Sequence, residues 1–196
     1  MSQSTRPALS LSLRVFALVC LSAAAAWAGD YSYSATHKTQ KSPEHVLAVF
    51  TSYGQVCDSG CKYWGPGVVE FFRLEYGRTE SRWYTWSHVQ SGPKHTKYFS
   101  ENTYTPTADG GFTYVVRQLQ EKDAALVAKL TEASKKPHAP VFDLATTTFT
   151  IKKLADGTEV TQSIKMAATG LVTMFPGKIQ DGMKEGCVAT FKNIEK

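Results

Sequence analysis

Read for its alternation of apolar and polar positions, the chain is a series of short extended runs framed by helical ones. Tyr31 to Thr39 alternates aromatic and polar residues, the pattern of a first strand. Ser42-Pro43-Glu44 then supplies a cap and a first-turn proline for a helix whose inner face takes Val46, Leu47, Val49 and Phe50. Residues 54–67, rich in Gly, Cys and turn formers, predict a bend or a short second helix. Strand follows strand after that. Val68 to Tyr76, Ser81 to Gln90, Thr96 to Thr105 and Phe112 to Leu119 are dense in Val, Phe, Tyr, Trp and Thr. Gly77, Gly92-Pro93 and Asp109-Gly110-Gly111 separate them, so the series predicts a meander of antiparallel hairpins.

Glu121 to Ser134 interrupts the meander with a helical pattern, Ala124, Leu126, Val127 and Leu130 beside charged residues, closed by Lys135-Lys136-Pro137. Two more strands, Val141 to Leu154 and Thr158 to Gly170, are joined at Asp156-Gly157, a strong hairpin signal. The chain ends on one amphipathic helix within residues 172–196. Ile179, Met183, Cys187, Phe191 and Ile194 recur every three or four positions on one face, with Lys178, Asp181, Lys184, Glu185, Lys192 and Glu195 opposite. Pro176 suits its first turn. Gly177, Gly182 and Gly186 are unusual there, each costing about 1 kcal/mol against Ala in a helix interior. A helix thinned in this way either packs very close to a sheet or leaves a gap beneath it. The fold class is α+β: a long antiparallel sheet of about seven strands must wrap to bury its inner face, and the terminal helix is what it can close on.

Residues 1–28 do not belong to this pattern. Arg6 and Arg14 precede an apolar run from Val15 to Ala26, and Ala26-Trp27-Ala28 offers the small residues a leader peptidase needs. The run is short for a bilayer span, and Ala17-Leu18-Val19 make a poor lipobox before Cys20. These features predict a signal peptide cleaved after Ala28 and export to the periplasm or beyond, with a retained anchor as the alternative. The remaining residues, 29–196, suit one domain. Cleavage takes two of the 22 basic residues and none of the 17 acidic ones, leaving a net charge of +3. Such a mild excess, with no run of Lys or Arg, is ordinary solvated surface and excludes a nucleic-acid footprint.

Three cysteines then remain. In an oxidising compartment Cys57 and Cys61 can close a small loop through Asp58, Ser59 and Gly60 as a structural staple. Their C-x3-C spacing is not that of a thioredoxin-like redox pair, and no Cys/His pair of suitable spacing follows to complete a zinc site. Cys187, on the apolar stripe of the last helix, reads as a buried thiol; the odd count leaves open a bridge from it to Cys57 or Cys61.

Candidate chemistry is sparse. No G-x-S-x-G, H-E-x-x-H or P-loop occurs. Tyr84, Trp86 and His88 share one strand face; Phe112, Tyr114 and Val116 form another row. Along the strand from Thr158, Val160, Gln162, Ile164, Met166 and Ala168 form an apolar row in which Gln162 is the polar intruder. Aromatic rows serve a plain core as readily as a ligand wall, but buried Tyr and Trp carry polar ends that need partners. A hollow of apolar rings with a few polar tips is what a ligand pocket requires. The candidate wall is therefore Tyr84, Trp86, His88, Tyr104, Tyr114 and Gln162, with Met166, Met183 and Cys187 beside it. His88 with Tyr104 or Tyr114 is the one available acid/base set, against the plainer reading of a half-exposed strand histidine. His37, His45, His95 and His138, near element ends, read as solvated. Glu70 and Glu101 can pair with Arg73, Arg82 or Arg117 across strands.

The order of elements, with Thr169-Gly170-Leu171-Val172-Thr173-Met174-Phe175-Pro176 running into Lys178 and on to Phe191-Lys192-Asn193, resembles the START-like superfamily. This is the helix-grip fold of START lipid-transfer domains, polyketide cyclases and plant pollen-allergen proteins. The resemblance covers residues 30–196; the helical insertion at 121–134 and the C-x3-C depart from it. It implies a deep cavity between the sheet and the last helix that takes lipids or other apolar molecules; no cofactor or metal is expected. The leading expectation is a monomeric carrier for a hydrophobic small molecule or lipid, with transient membrane contact for ligand exchange. One rival is a cyclase- or hydrolase-type enzyme in the same cavity. The other is an interaction module docking through the Cys57–Cys61 loop and Tyr63-Trp64.

Overall fold

The computed structural model describes residues 28–51, 55–56, 68–91, 94–140, 144–169 and 173–196. Strand β1 (Ala28–Thr39) leads to helix α1 (Pro43–Phe50), then to β2 (Gln55–Val56), β3 (Val68–Leu74), β4 (Arg82–Ser91), β5 (Lys94–Pro106) and β6 (Phe112–Gln118). A 3-10 turn (Glu121–Asp123) opens α2 (Ala124–Ser134); β7 (Leu144–Leu154), β8 (Gly157–Thr169) and α3 (Pro176–Ile194) complete the order. All the strands join one antiparallel sheet in the order β1-β8-β7-β6-β5-β4-β3-β2, of which β2 contributes only two residues. The expected α+β helix-grip architecture is what the chain adopts.

Local chemistry accounts for the element ends. Ser42 Oγ accepts a hydrogen bond from the His45 N–H, and Pro43 sits in the first turn of α1. The hairpin after Asp156 needs Gly157: its φ is 144°, and a Cβ there would collide with the Thr39 carbonyl oxygen.

Both faces of the sheet are covered. On the inner face, Trp83, Phe112, Tyr114, Phe149 and Val160 pack with Val46, Val49 and Phe50 of α1 and Ile194 of α3. A second inner cluster lies under the first half of α3, where Ile179 and Met183 meet Ala168, Tyr31, Tyr33, Ile164 and Met166. On the outer face, Leu74, Tyr84, Trp86, Phe99 and Leu119 pack against Leu126, Val127 and Leu130 of α2. The insertion is therefore a lid on the back of the sheet. Arg117 donates to both Glu101 and Asp123, and Trp86 Nε1 donates to the Pro137 carbonyl at 2.8 Å. The Lys136 ammonium bonds Glu70 at 3.0 Å and lies 4.8 Å from the Trp86 ring centre.

Several expectations need correction. The α3 glycines neither pack close to the sheet nor border a gap: Gly177, Gly182 and Gly186 all face outward, and a Cβ on any of them would meet none of the described residues within 4 Å. His37, His45 and His138 are not simply solvated. His37 stacks on Phe191 with 5.0 Å between ring centres and bonds Glu195 at 2.6 Å. His45 Nε2 lies 2.9 Å from the Ile194 carbonyl, and His138 Nδ1 accepts the Phe99 N–H at 3.0 Å. The Cys57–Cys61 staple and Tyr63-Trp64 lie outside the described residues.

Candidate ligand cavity

The inner face is not uniformly filled. In β4 the inward residues after Trp83 are Thr85, Ser87 and Val89, and β5 sets Ser100 opposite Thr85 and Tyr98 opposite Ser87. Small side chains directly across from one another leave room. The result is a cavity of about 180 Å³, bounded by Tyr114, Phe149 and Gln162 along its floor and by Thr190 of α3. Val68, Phe71, Val89, Val116 and Phe149 supply its apolar wall; none of the described lining residues carries a charge.

The polar groups of the floor are largely committed to one another. Asn102 Nδ2 donates to Thr85 Oγ1 at 3.0 Å and to the Ser100 carbonyl at 3.3 Å, while the Tyr114 hydroxyl donates to Asn102 Oδ1 at 2.6 Å. Burial pushes the Tyr98 phenol up, partly offset by its hydrogen bond with Ser87, so it stays neutral. Thr190 Oγ donates to the Gly186 carbonyl at 3.0 Å, within its own helix. Gln162 differs. Only 4% exposed, it has an Oε1 that accepts no hydrogen bond from the protein. An unsatisfied buried group of this kind costs about 1–3 kcal/mol.

Helix α3 closes the cavity and is held unevenly. Its carboxyl end is fixed by buried Ile194, by His45 at the Ile194 carbonyl and by His37 at Phe191 and Glu195. The His37 hydrogen bond, then one with Thr39, holds the Glu195 carboxyl below its usual range. At the amino end the described buried stripe is Ile179 and Met183, preceded by Met174 and Phe175, which are 51% and 56% exposed.

Of the residues singled out in the sequence, Tyr114 and Gln162 line the cavity. Tyr104 shares their face but packs beside Phe112, 5.2 Å between ring centres. Met166 and Met183 meet under the amino half of α3. Cys187 is free and buried, its thiol pushed up to about 11 by burial. Tyr84, Trp86 and His88 lie on the outer face, Tyr84 and Trp86 beneath α2 and His88 with its Nε2 2.8 Å from His95 Nδ1. The set of His88 with Tyr104 or Tyr114 is thus not brought together. Sequence reasoning missed Thr85, Ser87, Ser100, Asn102 and Phe149. The available signal was a row of small polar residues on one strand face, which leaves volume where an aromatic row fills it.

These features, a wrapped antiparallel meander with a hollow under a carboxyl-terminal helix, define a helix-grip fold. Solved structures match it over most of its length. A STAR-related lipid transfer protein from Xanthomonas axonopodis is 14% identical with a TM-score of 0.61, covering 83% of this chain and 85% of that one. The Zhui aromatase/cyclase from Streptomyces sp. R1128 is 12% identical with a TM-score of 0.55, covering 85% and 92%. Human StAR-related lipid transfer protein 5 is 11% identical with a TM-score of 0.57, covering 83% and 74%. At these identities the likeness is one of fold. No protein-family model matches the chain, and no curated protein matches it in sequence.

Proposed function

We propose that the protein binds a hydrophobic small molecule between the sheet and α3 and carries or sequesters it. The observation that carries this reading is the cavity itself: small side chains hold open about 180 Å³ at the place where the sheet and its closing helix meet. Apolar burial against Val116, Phe149 and their neighbours supplies affinity at about 25 cal/mol per Å² removed from water. A cavity of roughly 150 Å³ accommodates benzene, so this one suits a ring-sized occupant. A lipid chain needs more room than this, which a lift of α3 at its amino end, beside exposed Met174 and Phe175, would supply. That lipid transfer proteins and an aromatase/cyclase share the fold supports a small-molecule role.

The reading extends to export and exchange. The leader-like pattern of residues 1–28 supports delivery to the periplasm or beyond. The exposed pair Met174 and Phe175, with the Lys178 ammonium 5.7 Å from the Phe175 ring centre, supports brief contact with a membrane surface during ligand exchange.

Native mass spectrometry of the protein purified without detergent tests the core of this. A bound mass that leaves on denaturation is expected. A clean apo mass, also after incubation with lipid extract and with ring-sized hydrophobes, contradicts it.

A further inference from the structure

Gln162 reads as more than a polar interruption of the cavity. We infer that it selects the ligand: the occupant is a neutral, ring-sized molecule bearing a hydroxyl, which bonds the Gln162 side-chain amide. The inference rests on the cavity-binding function proposed above and adds the chemical class of the ligand.

Three observations converge on it. First, Gln162 is buried to 4% exposure, and its Oε1 has no protein donor. The other buried amide of the floor, Asn102, spends its donor on Thr85 and Ser100 and its acceptor on Tyr114. Gln162 therefore offers a ligand's polar group a buried acceptor that is still open. A hydroxyl both donates and accepts, so it satisfies either end of the amide.

Second, register puts Gln162 beside an aromatic surface. Gln162 of β8 pairs with Phe149 of β7, which pairs with Tyr114 of β6. The Phe149 and Tyr114 rings are 5.9 Å apart and within 18° of parallel. Phe50 packs on one side of these rings, and the cavity is bordered by both rings and by Gln162, so a ring held there lies beside the Gln162 amide.

Third, none of the described residues that line the cavity is charged. A carboxylate or phosphate buried against these residues would be desolvated without a counter-charge among them, which disfavours fatty-acid and phospholipid head groups at this position. The hydroxyl has to belong to an uncharged molecule.

Calorimetry with three probes of matched size tests the inference: 2-naphthol, 2-methylnaphthalene and 2-naphthoate. The wild-type protein is expected to bind 2-naphthol about tenfold more tightly than 2-methylnaphthalene, a difference of about 1.4 kcal/mol, and 2-naphthoate more weakly than either. In Gln162→Leu and Gln162→Met the preference disappears or reverses while 2-methylnaphthalene still binds. The two variants replace a buried orphan amide by an apolar chain of similar length, and their thermal midpoints report that they fold. Equal binding of 2-naphthol and 2-methylnaphthalene by the wild type overturns the inference and leaves the cavity function standing. So does a naphthol preference that survives both substitutions. Tightest binding of 2-naphthoate overturns the neutral class. Binding of no probe, with no ligand seen by mass spectrometry, removes the cavity function and this inference together.

Discussion

Gln162 and Asn102 are both buried amides on the inner face of the sheet, and their partners separate their roles. Asn102 ties β4, β5 and β6 together through Thr85, Ser100 and Tyr114, so it is part of the scaffold. Gln162 has an acceptor to give to a guest. Across the sheet, the ring of His88 has an electrostatic environment of its own. Burial comes first in holding its pKa below the ordinary value, followed by Lys97 and His95 on β5 and by Lys136 after α2; Glu70 on β3 opposes them. The unfolded chain takes up that proton near pH 6.5, whereas the folded protein resists it. The unfolded state thus binds more protons below that pH, and stability from this group is lost as pH falls through about 6.5 until the folded imidazole also protonates. Thermal midpoints measured from pH 7.5 down to pH 5 are expected to fall less in His88→Gln than in the wild type. Identical pH profiles would show that the His88–His95 contact carries no such linkage.

The helices differ in what fixes them. α1 and the carboxyl end of α3 share a core through Val46, Val49 and Ile194. The amino end of α3 combines a light apolar contact with three outward glycines, each in open space. Replacing Gly182 or Gly186 by Ala meets no steric obstacle and is expected to stabilise the protein by about 1 kcal/mol each, read as a higher urea midpoint at unchanged slope. A lowered midpoint would mean that this edge of α3 contacts something. Element boundaries were legible in the sequence because Pro43, Gly77, Asp109-Gly110 and Asp156-Gly157 impose turn chemistry that tertiary packing does not override. The facing of β4 was not. A bulky aromatic row normally marks the side toward the core, but α2 gives the outer face a core of its own, and Tyr84 and Trp86 serve that one. The cavity side is the row of Thr85 and Ser87, small because the space is kept open. Tyr114 and Gln162 were legible because each stands in a row with its face fixed by neighbouring apolar residues, Phe112 and Val116 for one, Val160 and Ile164 for the other.

Taken whole, the molecule is a sheet with a solid back and a hollow front. The back is built from large rings locked by α2, the Arg117 pairs and the Lys136 contacts. Such a back braces strands β3 to β6 from the side opposite the hollow. The front has two dense regions, around Phe50 and around Met183, with the uncharged hollow between the strands and Thr190. Had the sheet closed on a solid core, the small inward residues of β4 and β5 would have no packing rationale. The most direct measurement is of isotope-filtered nuclear Overhauser effects between labelled protein and unlabelled 2-naphthol. Contacts from the naphthol protons to Val116, Phe149 and Thr190 are expected. Contacts instead to Phe72, Trp86 and Leu126, on the back of the sheet, would contradict the assignment of the cavity as the binding site.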